Sequence, residues 1–290
     1  MSLRTGGSAA GAPRIRRLTA GDLDFAVAQS DREGWTTSRA WFEVLLAHDP
    51  DGGFVAEADG KAVGLATTTR FAQSGWIGNL IVLPEHRGGG LGSRLFERGL
   101  DRLRDAGVAT VRLEADPPGV NIYRRFGFAD EFTSLRFRRA GPAPEGAKGV
   151  VRLDAAALPA IARCDATAFG DDRARFLGLL HGRAEAAFGV PAGDGVGGYA
   201  LVIPTLGGVH IGPLVADDPG IAERLLHACL AVADGRLVTI DIPGPNRAAV
   251  TLVRALGFEE TAPSLRMILG VRQAGGDLER NVALATGATG

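Results

Sequence analysis

Short alternating apolar runs and longer runs of helical spacing take turns along this chain. RIRRL at residues 14–18 reads as a strand, and helices follow near 20–30 and 37–48, the second ended by DPDGG. FVAEAD (54–59) predicts a strand, DGKAVGLATTT (59–69) a hairpin turn feeding another, and WIGNLIVL (76–83) a third that runs into a glycine-rich loop. From Leu91 onward Leu95, Phe96, Leu100 and Leu103 form one stripe, while Arg94, Glu97, Arg98, Asp101 and Arg102 lie elsewhere around the axis. That pattern predicts a helix with one face on a sheet. AGVATVRLEAD (106–116) supplies the next strand, PPGVNIYRRFGF (117–128) a turn with a short helix, and FTSLRFRR (132–139) a last strand.

The pattern then stops and starts again. Residues 140–149, GPAPEGAKGV, have the composition of an interdomain linker. Beyond it GGYALVIPTLGGVHIGPLV (197–215) parallels VGLATTTRFAQSGWIGNLIV (63–82). GIAERLL (220–226) parallels GLGSRLF (90–96) at a shift of 130 residues, and ALGF (255–258) parallels RFGF (125–128) at the same shift. Two copies of one α/β unit follow from this repeat, as does the length of 290 residues, which exceeds one typical domain. The expected organisation is a flexible N-terminus over 1–12, a first domain over 13–140, a linker over 141–149, a second domain over 150–271 and a tail over 272–290.

Composition narrows the function classes. A formal charge of −1, with no Lys/Arg block, offers no field for a phosphate backbone and makes nucleic acid an unlikely partner. No stretch approaches 18 apolar residues and the start lacks a signal-peptide run, which implies a cytoplasmic protein without membrane association. Cys164 and Cys229 stand apart in helical stretches without metal-ligand spacing, so both read as buried reduced thiols and no metal site is expected.

HRGGGLGSRL (86–95) carries the candidate chemistry. A loop that leaves a buried strand and enters a helix turns consecutive N–H groups outward beside the positive end of the helix dipole, with Arg87 adjacent. Bare backbone at Gly88, Gly89, Gly90 and Gly92 lets a phosphate reach those donors. A P-loop needs Lys after its last Gly, but Ser93 and Arg94 follow Gly92. A dinucleotide fingerprint fails too, because Ser93 or Leu95 stands where its third Gly is required.

VLPEHRGGGLG (82–92) does resemble the acyl-CoA loop of the GNAT superfamily of N-acetyltransferases, Val-x-Pro-x-x-Arg-Gly-x-Gly-x-Gly/Ala, at every specified position. LEADPPGVNIYRRFGF (113–128) looks like that superfamily's closing segment, with Tyr three residues before Gly-Phe. The resemblance covers residues 13–139 and makes 150–270 look like a second, divergent unit. It implies an α/β fold of two tandem units, each a mixed, mostly antiparallel sheet flanked by helices with a splayed central strand pair. It also implies acetyl-CoA as cosubstrate, with its pyrophosphate over Arg87, Gly88, Gly89, Gly90, Leu91, Gly92 and Ser93. The pantetheine arm would run along Ile81, Val82 and Leu83, with Asp116 near it.

The implied reaction is direct attack of a primary amine on the thioester in a ternary complex, with backbone N–H near Val82 stabilising the oxyanion. Tyr123 is the candidate acid for the leaving thiolate, and Glu114, on the strand beside the splay, is a candidate base. Glu85 and His86 read as solvated loop residues; Asp31, Glu33 and Trp35 lie in a region that often walls the acceptor site in the family, but read first as surface charges and a core aromatic. The acceptor is expected to be a small-molecule or peptide amine, and the protein a monomer or homodimer. A non-catalytic acyl-CoA-binding module is the alternative, and Tyr123 favours the enzyme. In the second copy VADDPGIA (215–222) replaces the glycine loop and Val253 stands where Tyr123 does, so that copy is expected to bind no CoA.

Overall fold

The structure, a computed structural model, describes residues 12–144, 148–271 and 276–290. Residues 1–11 of the flexible N-terminus expected over 1–12, the middle of the linker and the first residues of the tail lie outside the described residues.

The first half runs β1 (Arg14–Arg17), α1 (Leu23–Arg32), α2 (Arg39–His48), β2 (Gly53–Ala58), β3 (Lys61–Arg70), β4 (Ser74–Val82), α3 (Leu91–Asp105), β5 (Thr110–Ala115), α4 (Val120–Arg125) and β6 (Ala129–Gly141). After it come β7 (Val151–Arg152), α5 (Leu158–Phe169), α6 (Ala174–His181), β8 (Ala186–Ala192), β9 (Gly195–Thr205), β10 (Gly208–Ala216), α7 (Pro219–Ala233), β11 (Gly235–Pro243), α8 (Arg247–Ala255), β12 (Glu259–Glu260), β13 (Ser264–Gly270) and β14 (Asn281–Ala283). Every element read from the periodicity of the first half is present. The strand expected from residue 106 starts at Thr110, because α3 ends there on Gly107 at φ +74°.

The stripe of α3 does what its spacing predicts: Leu95, Phe96, Leu100 and Leu103 are all sealed from solvent. Burying each such side chain stabilises by roughly 1.5–3 kcal/mol, which fixes the helix, and the loop before it, on the sheet. β4 pairs parallel with β5 only over Ser74–Trp76, opposite Thr110–Arg112. Beyond Trp76 the two strands separate. The second half repeats this, with β10 parallel to β11 only over Gly208–His210, opposite Leu237–Thr239. All the other strand pairs are antiparallel.

The halves exchange their last strands. β13, from the second half, pairs with β5, while β6, from the first, pairs with β11, so one continuous sheet runs in the order β1-β2-β3-β4-β5-β13-β6-β11-β10-β9-β8-β7. A period-2 apolar pattern says that FTSLRFRR is a strand but not whose edge it joins. A buried ion pair sits on the exchange: Arg266 of β13 donates through Nε to Glu114 of β5 at 2.7 Å, with its guanidinium between the rings of Trp76 and Phe132.

Residues 281–290, expected as part of a tail, run through the interior instead. β14 enters the gap between β10 and β11, in register with Leu214 and Val215 on one side, and Leu284 N–H donates to the Asp241 carbonyl on the other at 2.9 Å. The segment then crosses to the first half, where a Cβ added at Gly78 would meet Ala288 at 2.6 Å and Gly290 packs on the Trp76 ring. Arg173 donates to the Gly290 carbonyl at 2.7 Å while gripping Asp165 through two further bonds. Cys164 and Cys229 are buried and unpaired, and burial pushes both thiols up, Cys164 to about 11.

Candidate active site

The two helices that follow the splayed strands begin in opposite ways. α3 has Gly90 at its N-cap, left-handed at φ +79°, with no side chain to satisfy the first N–H groups. Gly88 is also left-handed at φ +83°, and a Cβ placed on Gly88, Gly89 or Gly90 would meet nothing within 4 Å. The outer face of the loop is open, and the donors of the first turn at Leu91, Gly92 and Ser93 lie behind it. α7 instead carries Asp218 at its N-cap, whose carboxylate accepts from the Ile221 N–H at 2.9 Å, and the neighbouring Asp217 is paired with Arg280. The first turn of α7 is thus capped by a side chain of its own, as that of α3 is not.

The strand gaps differ in the same way. Ile81 and Val82, buried on β4, pair with β3 through Leu65 and Gly64, and among the described residues their β5-facing edge has no strand partner. Leu83 leads into the turn Pro84–His86. Arg87 is half exposed but anchored: its Nε donates to the Val82 carbonyl at 2.7 Å, and Nη2 pairs with Glu33 at 2.6 Å. It therefore braces the end of β4 against the α1–α2 loop. In the second half β14 occupies the equivalent gap.

Tyr123 stands on α4, packed 5.0 Å from Phe96 of α3. Its hydroxyl makes no hydrogen bond to any described residue. Burial, then the nearby Asp116 carboxylate, pushes the phenol up to about 12. Asp116 accepts from Trp35 Nε1 at 3.2 Å and pairs with Arg136 at 2.9 Å, leaving its side chain about 35% exposed. Glu114 is otherwise placed. It accepts from Ser134, Ser264 and Arg266 at 2.7–2.8 Å and its side chain is 2% exposed, so both oxygens are engaged in holding β5, β6 and β13 together. A carboxylate so committed does not suit proton traffic.

A cavity of about 600 Å³ opens where the splay meets the second half. Its walls bring together Glu33, Trp35, Asp116 and Asn79 from the first half with His210 and Asp241 from the second. Residues 286–288 form part of its lining. Asn79 stands at a bulge in β4, left-handed at φ +51°, with its amide on the Thr67 hydroxyl at 2.8 Å. Of these residues, His210 and Asp241 carried no motif. The signal for Asp241 is the alternation in TIDIP, a charge between two core isoleucines that must face the other side of its strand.

Comparison with known proteins agrees with this reading of two copies. A model described as the Acetyltransferase (GNAT) family matches residues 20–128, and one described as an Acetyltransferase (GNAT) domain matches 161–280. The chain belongs to the GNAT acetyltransferase family, as a tandem of two such units. Holothin acyltransferase from Pseudoalteromonas sp. (strain SANK 73390) is 25% identical over 87% of this chain and 85% of its own length. Mycothiol acetyltransferase from Streptomyces avermitilis is 38% identical, over 43% of this chain and only 37% of the relative. The solved structure of a candidate acetyltransferase from Pyrococcus horikoshii superposes over the whole of both chains with a TM-score of 0.85 at 27% identity. Among the described residues no helix is long and apolar enough to cross a membrane.

Proposed function

We propose that this tandem GNAT protein is an N-acetyltransferase, moving an acetyl group from acetyl-CoA to a primary amine in its first unit. One observation carries the reading: the open glycine-capped helix and the open strand gap occur together in the first unit, and both are filled in the second. The first-turn N–H groups behind Gly88, Gly89, Gly90, Leu91, Gly92 and Ser93 would hold the pyrophosphate, and the free edge of Ile81, Val82 and Leu83 the pantetheine arm. Acetyl-CoA supplies the activated acyl group. Arg87 acts by bracing Val82 and fixing the geometry of that edge.

The neutral amine attacks the thioester carbonyl, the C–N bond forms and the C–S bond breaks. Tyr123 donates a hydrogen bond to the departing sulfur. Full transfer from a phenol at about 12 to a thiolate with the ordinary thiol value of ~8.5 is uphill by about 5 kcal/mol, so its contribution is to stabilise charge as it develops. The proton on the newly bonded nitrogen passes to water in the cavity beside the part-exposed Asp116, the released thiolate takes a proton from solvent, and Glu114 holds the sheet. The acceptor amine enters from the cavity between the halves.

The test combines calorimetry with acetyl-CoA and thiol release in the presence of a panel of amines. One coenzyme bound per chain with amine-dependent thiol release is expected. Tight binding with silence across the panel would favour a coenzyme-binding module, and two bound per chain would refute the assignment of the second unit.

A further inference from the structure

We infer that the acceptor is an elongated small molecule with a second cationic group, and that Asp241 of the second unit is the residue that binds it. This rests on the acetyltransferase reading above and adds what the far end of the cavity recognises.

The charge around the cavity is nearly balanced by partners already in place. Glu33 is paired with Arg87, Glu114 with Arg266, and Asp116 with Arg136, while Arg138 faces Glu259 at 3.9 Å. Asp241 is the remainder. Its backbone carbonyl holds Leu284, but its half-buried carboxylate has no hydrogen bond or ion pair among the described residues. An unpaired acid in a part-buried wall costs stability unless something else satisfies it. Ile240 and Ile242 on either side of it are fully buried in the core, so strand alternation turns Asp241 toward the cavity it lines.

The sheet gives the span. Glu114 on β5 pairs in register with Arg266 on β13, Ser264 on β13 with Ser134 on β6, and Arg136 on β6 with Asp241 on β11. Three strand steps of roughly 4.8 Å place Asp241 on the order of 14 Å from the strand beside the splay. A cavity of about 600 Å³ suits a small molecule, within the roughly 300–1,000 Å³ usual for ligand sites. An acceptor with its reacting amine at the splay and a second ammonium at that distance meets the one cavity-lining acid that has no ion pair among the described residues.

A series of linear diamines of graded length, each with a monoamine of matched length, tests this with wild type, Asp241→Asn and Asp241→Glu. Steady-state thiol release is read beside calorimetric binding of the same amines to the protein loaded with CoA. For diamines long enough to span the cavity, wild type should show kcat/KM about tenfold to a hundredfold above the matched monoamine, the range of a hydrogen bond to a charged group. The gain should appear chiefly in KM and in calorimetric affinity. Asp241→Asn should bring the diamine-to-monoamine ratio to near one, and Asp241→Glu should restore part of it. Monoamine turnover with no diamine advantage in wild type, or an advantage that survives Asp241→Asn, overturns the inference. Diamine binding that depends on Asp241 without thiol release supports the site and defeats the acetyltransferase reading, so the two failures are separable. An unfolding midpoint for each variant confirms that the fold is intact.

Discussion

Replacing Gly90 by Asp tests the coenzyme loop because it separates binding from folding. Gly90 is left-handed at φ +79°, a conformation that Asp tolerates better than most residues, and a Cβ there meets nothing within 4 Å. Asp218 caps α7 from an extended backbone, φ −151°, which the left-handed Gly90 does not share, so the new carboxylate gains no capping bond to offset its strain. The unfolding free energy should fall by roughly 1–2 kcal/mol, the strain of a left-handed non-glycine residue, which leaves the fold intact. Binding should collapse. A carboxylate about 4 Å from one charge of a pyrophosphate repels it by roughly 4 kcal/mol at an effective dielectric near 20, about three decades in affinity. Gly90→Ala carries the conformational strain without the charge and should lose much less. The assay is calorimetric titration with CoA, beside denaturant unfolding of each variant. Affinity for Gly90→Asp within about threefold of wild type would refute the loop as the pyrophosphate site.

Tyr123→Phe should keep CoA affinity and lose on the order of 10²-fold in turnover under chemistry-limited conditions; an unchanged rate would make Tyr123 a packing residue against Phe96. Because the phenol is held up to about 12, it stays protonated across ordinary assay pH, so an alkaline fall in wild-type kcat below that range should persist in Tyr123→Phe. Glu114→Gln should cost about 3–5 kcal/mol in denaturant unfolding, since it strands the Arg266 guanidinium between Trp76 and Phe132. A normal unfolding midpoint with a large loss of turnover would instead return Glu114 to the role of base.

What could be read along the chain was local. α3 and its stripe follow from helical spacing, and the loop from four glycines placed between an apolar strand and that helix, because both depend on residues within one or two turns of each other. The repeat was legible for the same reason, down to the loss of Tyr123 at Val253, now buried in the core of the second half. Partners distant in sequence were not. Glu114 looked like a base from its position by the splay, yet its donors are Ser134, Ser264 and Arg266, up to 152 residues away. The exchange of β6 and β13 leaves no trace in either strand's alternation, which specifies a face and not a neighbour. The segment 281–290 offered no periodicity at all; its place depends on close approach to glycines such as Gly78 and Gly212, where a Cβ would strike Ala288 and the Leu284 carbonyl.

The filled second copy follows from the same geometry that leaves the first one open. A splayed parallel pair exposes backbone N–H and C=O groups that must find a partner. In the first unit those groups face a site that the glycine loop completes, and in the second β14 satisfies them permanently while Asp218 satisfies the helix. Once filled, that gap is closed by backbone hydrogen bonds, and the chain leaving it delivers residues 286–288 to the cavity beside the first splay. Strand exchange makes the arrangement hard to dissolve, because each half's sheet runs on through the other's last strand. What the second unit builds is visible: His210, Asp241 and the crossing segment form one side of a pocket whose other side holds Tyr123's neighbour Asp116. On the proposed function, divergence in the second unit changes which amine the cavity accepts, and divergence in the first changes whether that amine is acetylated.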